Sequence, residues 1–270
     1  MRTAVCLSGR LTSIENYENL RQNVLAPYNA DVFIDTWIPF GKNSMKVGLL
    51  HNTPDEELAK VSILPEEQPA DINAYVEHYK PLMINMEFFD ASPITHQVRS
   101  LLPPSAKTAA GNESHGTKKE NVMFMWYKIW KANQMRKLYE QNNRIRYDCI
   151  IRARFESTFT SFPKIEPKFK TVYIPNGGDY EGGINDQFAL ADSQTMDLYC
   201  EMYNEIYRYT VAGIGLHPES MLRKHLQVNR LTVERFECGL MLRGGHQSAA
   251  GNSGMRDEIL TDLNHGRILD

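Results

Sequence analysis

The apolar positions along the chain change period several times, and each change marks an element. Residues 3–7 (Thr3, Ala4, Val5, Cys6, Leu7) form a short apolar run of strand type, stopped by Ser8-Gly9-Arg10. Over 13–25, Ile14, Tyr17, Leu20, Val24 and Leu25 recur at helical spacing, with Ser13 placed as the N-cap. Residues 30–37 then read as a second strand. A strand, a glycine turn, a helix and a strand in succession open a doubly wound α/β fold, whose right-handed crossover lays both strands parallel in one sheet.

The following stretch is less regular. The pattern predicts a loop over 39–52, short helices over 54–61 and 71–79, and a strand over 83–89. Residues 103–119 are polar and rich in small side chains, which predicts a mobile loop able to order over a bound substrate. The strongest helix covers 120–142, where Val122, Met125, Trp126, Ile129, Trp130, Met135 and Leu138 supply an apolar stripe. Its aromatic residues fit a core stripe better than a stacking platform. Residues 147–156 follow as a strand that begins apolar and ends charged. Short strands over 171–174 and 187–191 flank a glycine-rich loop at 176–185. A helix rich in Tyr and Met spans 193–209, and Pro218 opens another through Leu226. Residues 232–236 and 239–242 form a terminal strand or hairpin, and 244–270 a weakly ordered polar tail. No internal repeat or linker divides the chain, so a single domain is expected over 1–243.

Composition narrows the class. The chain has 270 residues, 42% hydrophobic and 23% charged, with a formal net charge of −3. That balance lacks the basic footprint of a nucleic-acid binder. No run approaches the roughly 18 apolar residues of a membrane span, and the N-terminus lacks the long apolar region of a signal peptide. The four cysteines, Cys6, Cys149, Cys200 and Cys238, form no CxxC pair and read as structural thiols in a reducing compartment. A soluble cytoplasmic protein without an integral membrane segment is the expectation.

Four segments carry candidate chemistry. Ser8-Gly9-Arg10 suits a diphosphate, because glycine admits close backbone approach and arginine offers a planar fork; a plain turn with a surface Arg explains it too. There is neither a GxGxxG nor a P-loop pattern. At 152–156, alternation places Arg152, Arg154 and Glu156 on one face of a strand end, where two cations hold an anion and Glu156 is a ligand for a hard divalent ion; a salt-bridged strand edge is the bland counterpart. Asp186, in Gly182-Gly183-Ile184-Asn185-Asp186-Gln187, is a base, a metal ligand, a sugar-hydroxyl acceptor or a simple turn former. Glu219, in His217-Pro218-Glu219-Ser220, lies in a first helical turn. There the helix dipole alone favours a carboxylate, and there it is also placed to deprotonate a hydroxyl. His217 is a metal-ligand candidate, though a lone His is more often only hydrogen-bonded.

Taken in order, these pieces resemble glycosyltransferase-like proteins of microbial and viral genomes with the GT-A, nucleotide-diphospho-sugar transferase, architecture. The resemblance rests on residues 7–10, 31–37, 125–139 and 147–156, and on Asn185-Asp186-Gln187-Phe188-Ala189 and His217-Pro218-Glu219. It spans roughly residues 3–243, with little contributed by 39–117. It implies a Rossmann-like fold with a central, mostly parallel sheet flanked by helices. It also implies transfer of a sugar from a nucleotide-sugar donor to a hydroxyl of a glycan or other acceptor. Ser8, Gly9, Arg10, Arg152 and Arg154 would then hold the donor, Glu156 a Mn²⁺ or Mg²⁺ ion, and Glu219 or else Asp186 would be the base. The chain departs from the family's Asp-x-Asp element, having Arg154-Phe155-Glu156. Arg152 and Arg154 would then neutralise the leaving group in place of a metal. A catalytically inactive nucleotide- or sugar-binding module of the same fold is the alternative.

Overall fold

The computed structural model describes residues 1–11, 14–38, 72–88, 119–180 and 182–242. Ser13, the expected loop at 39–52, the helix at 54–61, most of the loop at 103–119 and the tail at 244–270 lie outside the described residues.

Strand β1 (Thr3–Arg10) pairs in parallel with β2 (Asp31–Ile38), and β2 with β3 (Met83–Phe88). The chain then returns to the other side of β1 as β4 (Cys149–Ala153), again parallel. A two-residue strand β5 (Ser157–Thr158) follows, then β6 (Thr171–Pro175), β7 (Ala189–Ala191), β8 (Thr232–Phe236) and β9 (Met241–Leu242). The main sheet has seven strands in the order β3-β2-β1-β4-β7-β6-β8, mostly parallel, with β7 antiparallel to both neighbours. The last two segments do not form the hairpin that was one of the two expectations. β8 extends the main sheet beside β6, while β9 pairs with β5.

The connection from β1 to β2, α1, spans residues 14–28. It passes through a 3₁₀ turn (Ile14–Asn16), an α turn (Tyr17–Leu20), a π turn (Arg21–Leu25) and a last α turn (Ala26–Tyr28). Pro27 accounts for the widening. Its ring has no N–H and crowds the carbonyl one turn back, so the turn before it opens. Asn29, in the left-handed region at φ 44°, ends the segment. The remaining helices are α2 (Ile72–Tyr79), α3 (Lys119–Asn143), α4 (Ser193–Cys200), α5 (Met202–Val211) and α6 (Pro218–Val228). The expected helix at 193–209 is therefore two, separated at Glu201. Asp192 caps the first by accepting from the N–H groups of Gln194 and Thr195.

Strand alternation sorts the core into two layers. Val5, Leu7, Ile34 and Ile151 face α1 and α2, against Leu20, Val24, Tyr75 and Tyr79. Ala4, Cys6, Phe33 and Ile150 face the other way, against Trp126 and Ile129 of α3, Met196 of α4 and Leu222 of α6. Both faces are covered, so all five residues of β4 are buried. All four cysteines are free and buried. Burial pushes the thiols of Cys6 and Cys149 up to about 12, which leaves them inert packing groups.

The inward stripe of α3 differs from its apolar pattern. It runs through Asn133 and Arg136, both fully buried, while Leu138 is exposed. Arg136 donates to Glu140, Asn133, Ser193 and Asp197, and Asn133 also donates to Asp197. Polar partners on α4 thus turn two hydrophilic positions of α3 inward and leave Leu138 on the opposite side.

Candidate functional site

The chain reverses its direction of travel across the sheet between β1 and β4. In open α/β sheets the crevice outside the carboxyl ends of strands at such a switch is the favoured place for a ligand. Ser8, Gly9 and Arg10 were expected as a turn beyond the strand. They are instead the last three residues of β1, opposite Asp35, Thr36 and Trp37. Gly9 nevertheless has φ +125°, and a Cβ built on it meets nothing within 4 Å. Its backbone is bare on that side, and a side chain there would be strained. Thr36 Oγ1 donates to the Gly9 carbonyl at 2.8 Å and holds the strand end in place. Ser8 is buried. The side chain of Arg10 lies outside the described part.

β4 ends at Ala153, so strand alternation does not govern Arg154 and Glu156 as the sequence suggested. Arg154 to Ser157 form a turn, closed by Ser157 N–H donating to the Arg154 carbonyl at 3.1 Å. Arg154 and Glu156 pair across it at 3.0 Å, Arg154 remaining about a third exposed, at 32%. The other carboxylate oxygen of Glu156, Oε2, is buried without a hydrogen-bond partner. Arg152, still within β4, is 1% exposed and donates to the backbone carbonyl of Asp186. Its Nε is buried and unpartnered, as is the hydroxyl of Tyr199. Burial pushes the Arg152 guanidinium down, opposed by the fields of Tyr199 and Asp186. Among the described residues no carboxylate lies within ion-pair distance of Arg152. Asp186 is buried and acts electrostatically on both arginines.

The loop carrying Asp186 is tightly held. Asp179 pairs with Arg235 through both oxygens, at 2.7 and 2.9 Å, and also accepts from Asn185 N–H. Asn185 Nδ2 donates to the Gly177 carbonyl. Downstream, the loop lies against the start of α6: Ile184 N–H donates to the Glu219 carbonyl at 3.1 Å. Asp186 and Glu219, far apart in sequence, thus belong to one junction. Glu219 stands in the first turn of α6 as expected, and its Oε2 lies 3.1 Å from His217 Nδ1. The Tyr180 ring lies over His217 with centroids 5.2 Å apart.

A second polar group was not anticipated from sequence. Asp35 on β2 forms an ion pair with Lys128 of α3 at 3.0 Å, both side chains fully buried, and accepts from Asn85 of β3 at 2.7 Å. Glu87 at the end of β3 receives Lys131, Tyr127 and Lys128 at 2.7, 3.0 and 3.6 Å. Asn85, Asp35 and Ser8 are register neighbours, so a polar row crosses three strands towards the turn at Arg154. The available signal was an Asp between Phe33 and Trp37 in an apolar strand, and a Lys inside the apolar stripe of a helix.

Burial pushes Asp35 up to about 6, against the pull of Lys128, while burial also lowers Lys128. Burial alone would raise Glu87, but Lys131 and Lys128 override it and hold Glu87 at about 2. The two acids therefore act oppositely on stability. The part owed to Glu87 is fully present above its unfolded value near 4.5 and disappears as pH falls towards 2. The part owed to Asp35 disappears as pH rises from about 4 through about 6. Glu87→Gln should flatten the acid side of a plot of unfolding free energy against pH, removing up to about 3 kcal/mol of the stability lost between pH 4.5 and 2. An unchanged acid limb would mean that Glu87 is solvated.

As donors for a hard divalent ion these residues are few. One Glu156 oxygen engages Arg154, and no cluster of three or more His, Cys, Asp or Glu occurs among the described residues. An ion bridging Glu156 Oε2 and a bound diphosphate would have to draw most of its ligands from the diphosphate and water. No helix among the described residues is long and apolar enough to cross a membrane. Comparison with protein-family models and with curated proteins returns no match.

Proposed function

We propose that this chain is a glycosyltransferase that moves a sugar from a nucleoside-diphosphate donor to a hydroxyl of a glycan or similar acceptor. The observation that carries the reading is the buried Arg152 guanidinium at the β1–β4 switch. Its Nε lacks a partner, and among the described residues no carboxylate forms an ion pair with it, Asp186 acting on it only through its field. A buried cation that is not directly paired is costly, and such a cost is tolerated where a ligand supplies the opposite charge. A diphosphate passing over the bare backbone of Gly9 towards Arg154 would do so. The two guanidiniums would then take up charge as the nucleoside diphosphate leaves.

Asp186 and Glu219 supply carboxylates on the acceptor side, and a base there would assist the attacking hydroxyl. The GT-A form of the sheet and a cytoplasmic setting belong to the same proposal; four buried free thiols suit a reducing compartment. The second reading, an inactive nucleotide- or sugar-binding module, is favoured by the closed Arg154–Glu156 pair, which occupies the acid that a metal would need.

A thermal-shift screen of nucleoside diphosphates and nucleotide sugars, with and without Mn²⁺ or Mg²⁺, tests the binding. A donor at a hundredfold excess over its Kd stabilises by about 2.7 kcal/mol. Slow hydrolysis of the bound donor separates enzyme from inert module, and no shift with any nucleotide removes the transferase and leaves a module that binds no nucleotide donor. Arg152→Met should leave the unliganded protein as stable as the parent or more so, while nucleotide affinity falls at least about tenfold. A loss of several kcal/mol with unchanged affinity would make Arg152 a structural residue.

A further inference from the structure

We propose that Arg152, Tyr199 and Trp126 form an internal binding site for a small inorganic anion of halide type, set between the sheet and helices α3 and α4. The site goes beyond the transferase reading and does not depend on it. A diphosphate reaching Arg152, as that reading requires, would displace the anion.

Strand alternation puts Arg152 on the same face of β4 as Ile150, the face that α3 and α4 cover. Tyr199 comes from α4 and Trp126 from α3. Their rings meet with centroids 5.5 Å apart and planes at 53°. Burial lowers the Arg152 guanidinium, and among the groups acting against burial the field of Tyr199 is the strongest. All three side chains are fully buried. Arg152 Nε, the Tyr199 hydroxyl and Trp126 Nε1 each have no hydrogen-bond partner among the described residues. Three buried polar atoms lacking partners thus belong to neighbouring side chains from three different elements.

The chemistry of these groups selects what they bind. The arginine and indole N–H groups donate and never accept. Burial pushes the Tyr199 hydroxyl up, so it keeps its proton at neutral pH and donates as well. Buried donors left without an acceptor are costly. A water molecule would accept from two of them but bring two protons of its own that need acceptors, and the Asp186 carbonyl is already taken by Arg152. An anion accepts from all three and has no proton to place. It also carries the charge that suits Arg152. Glu156 is paired with Arg154 at 3.0 Å, and Asp186 offers Arg152 its backbone carbonyl and the field of its carboxylate, without an ion pair. The complete burial of the three donors favours a single-atom acceptor.

Crystals grown with bromide as the halide read the site directly, because bromide scatters anomalously. One anomalous peak within hydrogen-bond distance of Arg152 Nε and Tyr199 Oη is expected. A water at that position, or no peak, would overturn the site. Thermal unfolding in chloride against gluconate, at constant ionic strength, supplies the measurement in solution. Beyond the Kd, each tenfold rise in chloride should raise the parent's midpoint by an equal step. Tyr199→Phe removes one donor and keeps the ring, and it should weaken chloride binding by about tenfold or more. An equal chloride response in both proteins would reveal a general salt effect and overturn the proposal. A bromide peak with no chloride response in solution would mark an adventitious ion only, and would overturn it too. If Tyr199→Phe does not fold, the bromide peak and the chloride response of the parent still decide.

Discussion

Lys128→Ala should lower the unfolding free energy by about 3–5 kcal/mol, read as a shift in urea midpoint at neutral pH, because it strands a buried carboxylate. Lys128 Nζ lies 3.0 Å from Asp35 Oδ1, with both side chains fully buried, and 3.9 Å over the Trp37 ring. Asp35 would keep only the amide of Asn85 on one oxygen, and its other oxygen already has no partner. The burial that raises Asp35 to about 6 would then act unopposed, so the variant should lose most stability above that pH. Replacing both residues together, Asp35→Leu with Lys128→Met, should recover most of the loss, since an apolar pair avoids desolvating two charges. If Lys128→Ala costs less than about 1 kcal/mol, the pair behaves as a solvated one. The polar row from Asn85 to Ser8 would then be open to water.

Gly183→Ala should be the most damaging small substitution near the site. A Cβ on Gly183 would stand 2.5 Å from Glu219 Cβ, 2.6 Å from its carbonyl carbon and 2.8 Å from Ser220 N. Two of these atoms are helix backbone, which cannot swing aside as a side-chain tip does. The loop must therefore move off α6, stretching the bond from Ile184 N–H to the Glu219 carbonyl. Overpacking of this kind costs about 1–3 kcal/mol, and losing the bond adds about 1 kcal/mol. The functional effect should exceed the loss of stability, because this contact, with Arg223 on the Gly182 carbonyl, holds the loop that carries Asp186 against the start of α6 at Glu219. Donor turnover should fall more than tenfold at a temperature where the variant is still folded, a misplacement of about 1 Å being worth up to about 100-fold. Parent-like turnover would show that the junction is not part of the site.

The two contacts differ in how visible they were beforehand. Gly183 stood in a glycine-rich segment noted as a candidate, yet nothing local said which backbone it would meet. Lys128 is hidden in the sequence because Trp126, Ile129 and Trp130 around it make an apolar stripe, and the partner that turns it inward sits on β2. The same blindness covers Arg136, whose partners Ser193 and Asp197 come from α4. It covers the end of β4 as well. Alternation put Arg152, Arg154 and Glu156 on one face, but the strand stops at Ala153 and a turn pairs Arg154 with Glu156.

By itself the amino-acid order determined what depends on short-range periodicity. It marked β1 as far as Leu7, the long helix up to Asn143, the charged end of the strand through Arg152, and the helix opened by Pro218. These follow from steric and solvation preferences that act within a turn or a pleat. Strand order, the antiparallel setting of β7, the buried Asp35–Lys128 pair and the meeting of Gly183 with Glu219 depend on groups far apart in the chain. They are settled when sheet and helices close on one another, because only then does a buried charge find its counterion or a glycine its neighbour. The tertiary structure therefore decided which of the candidate residues stand together.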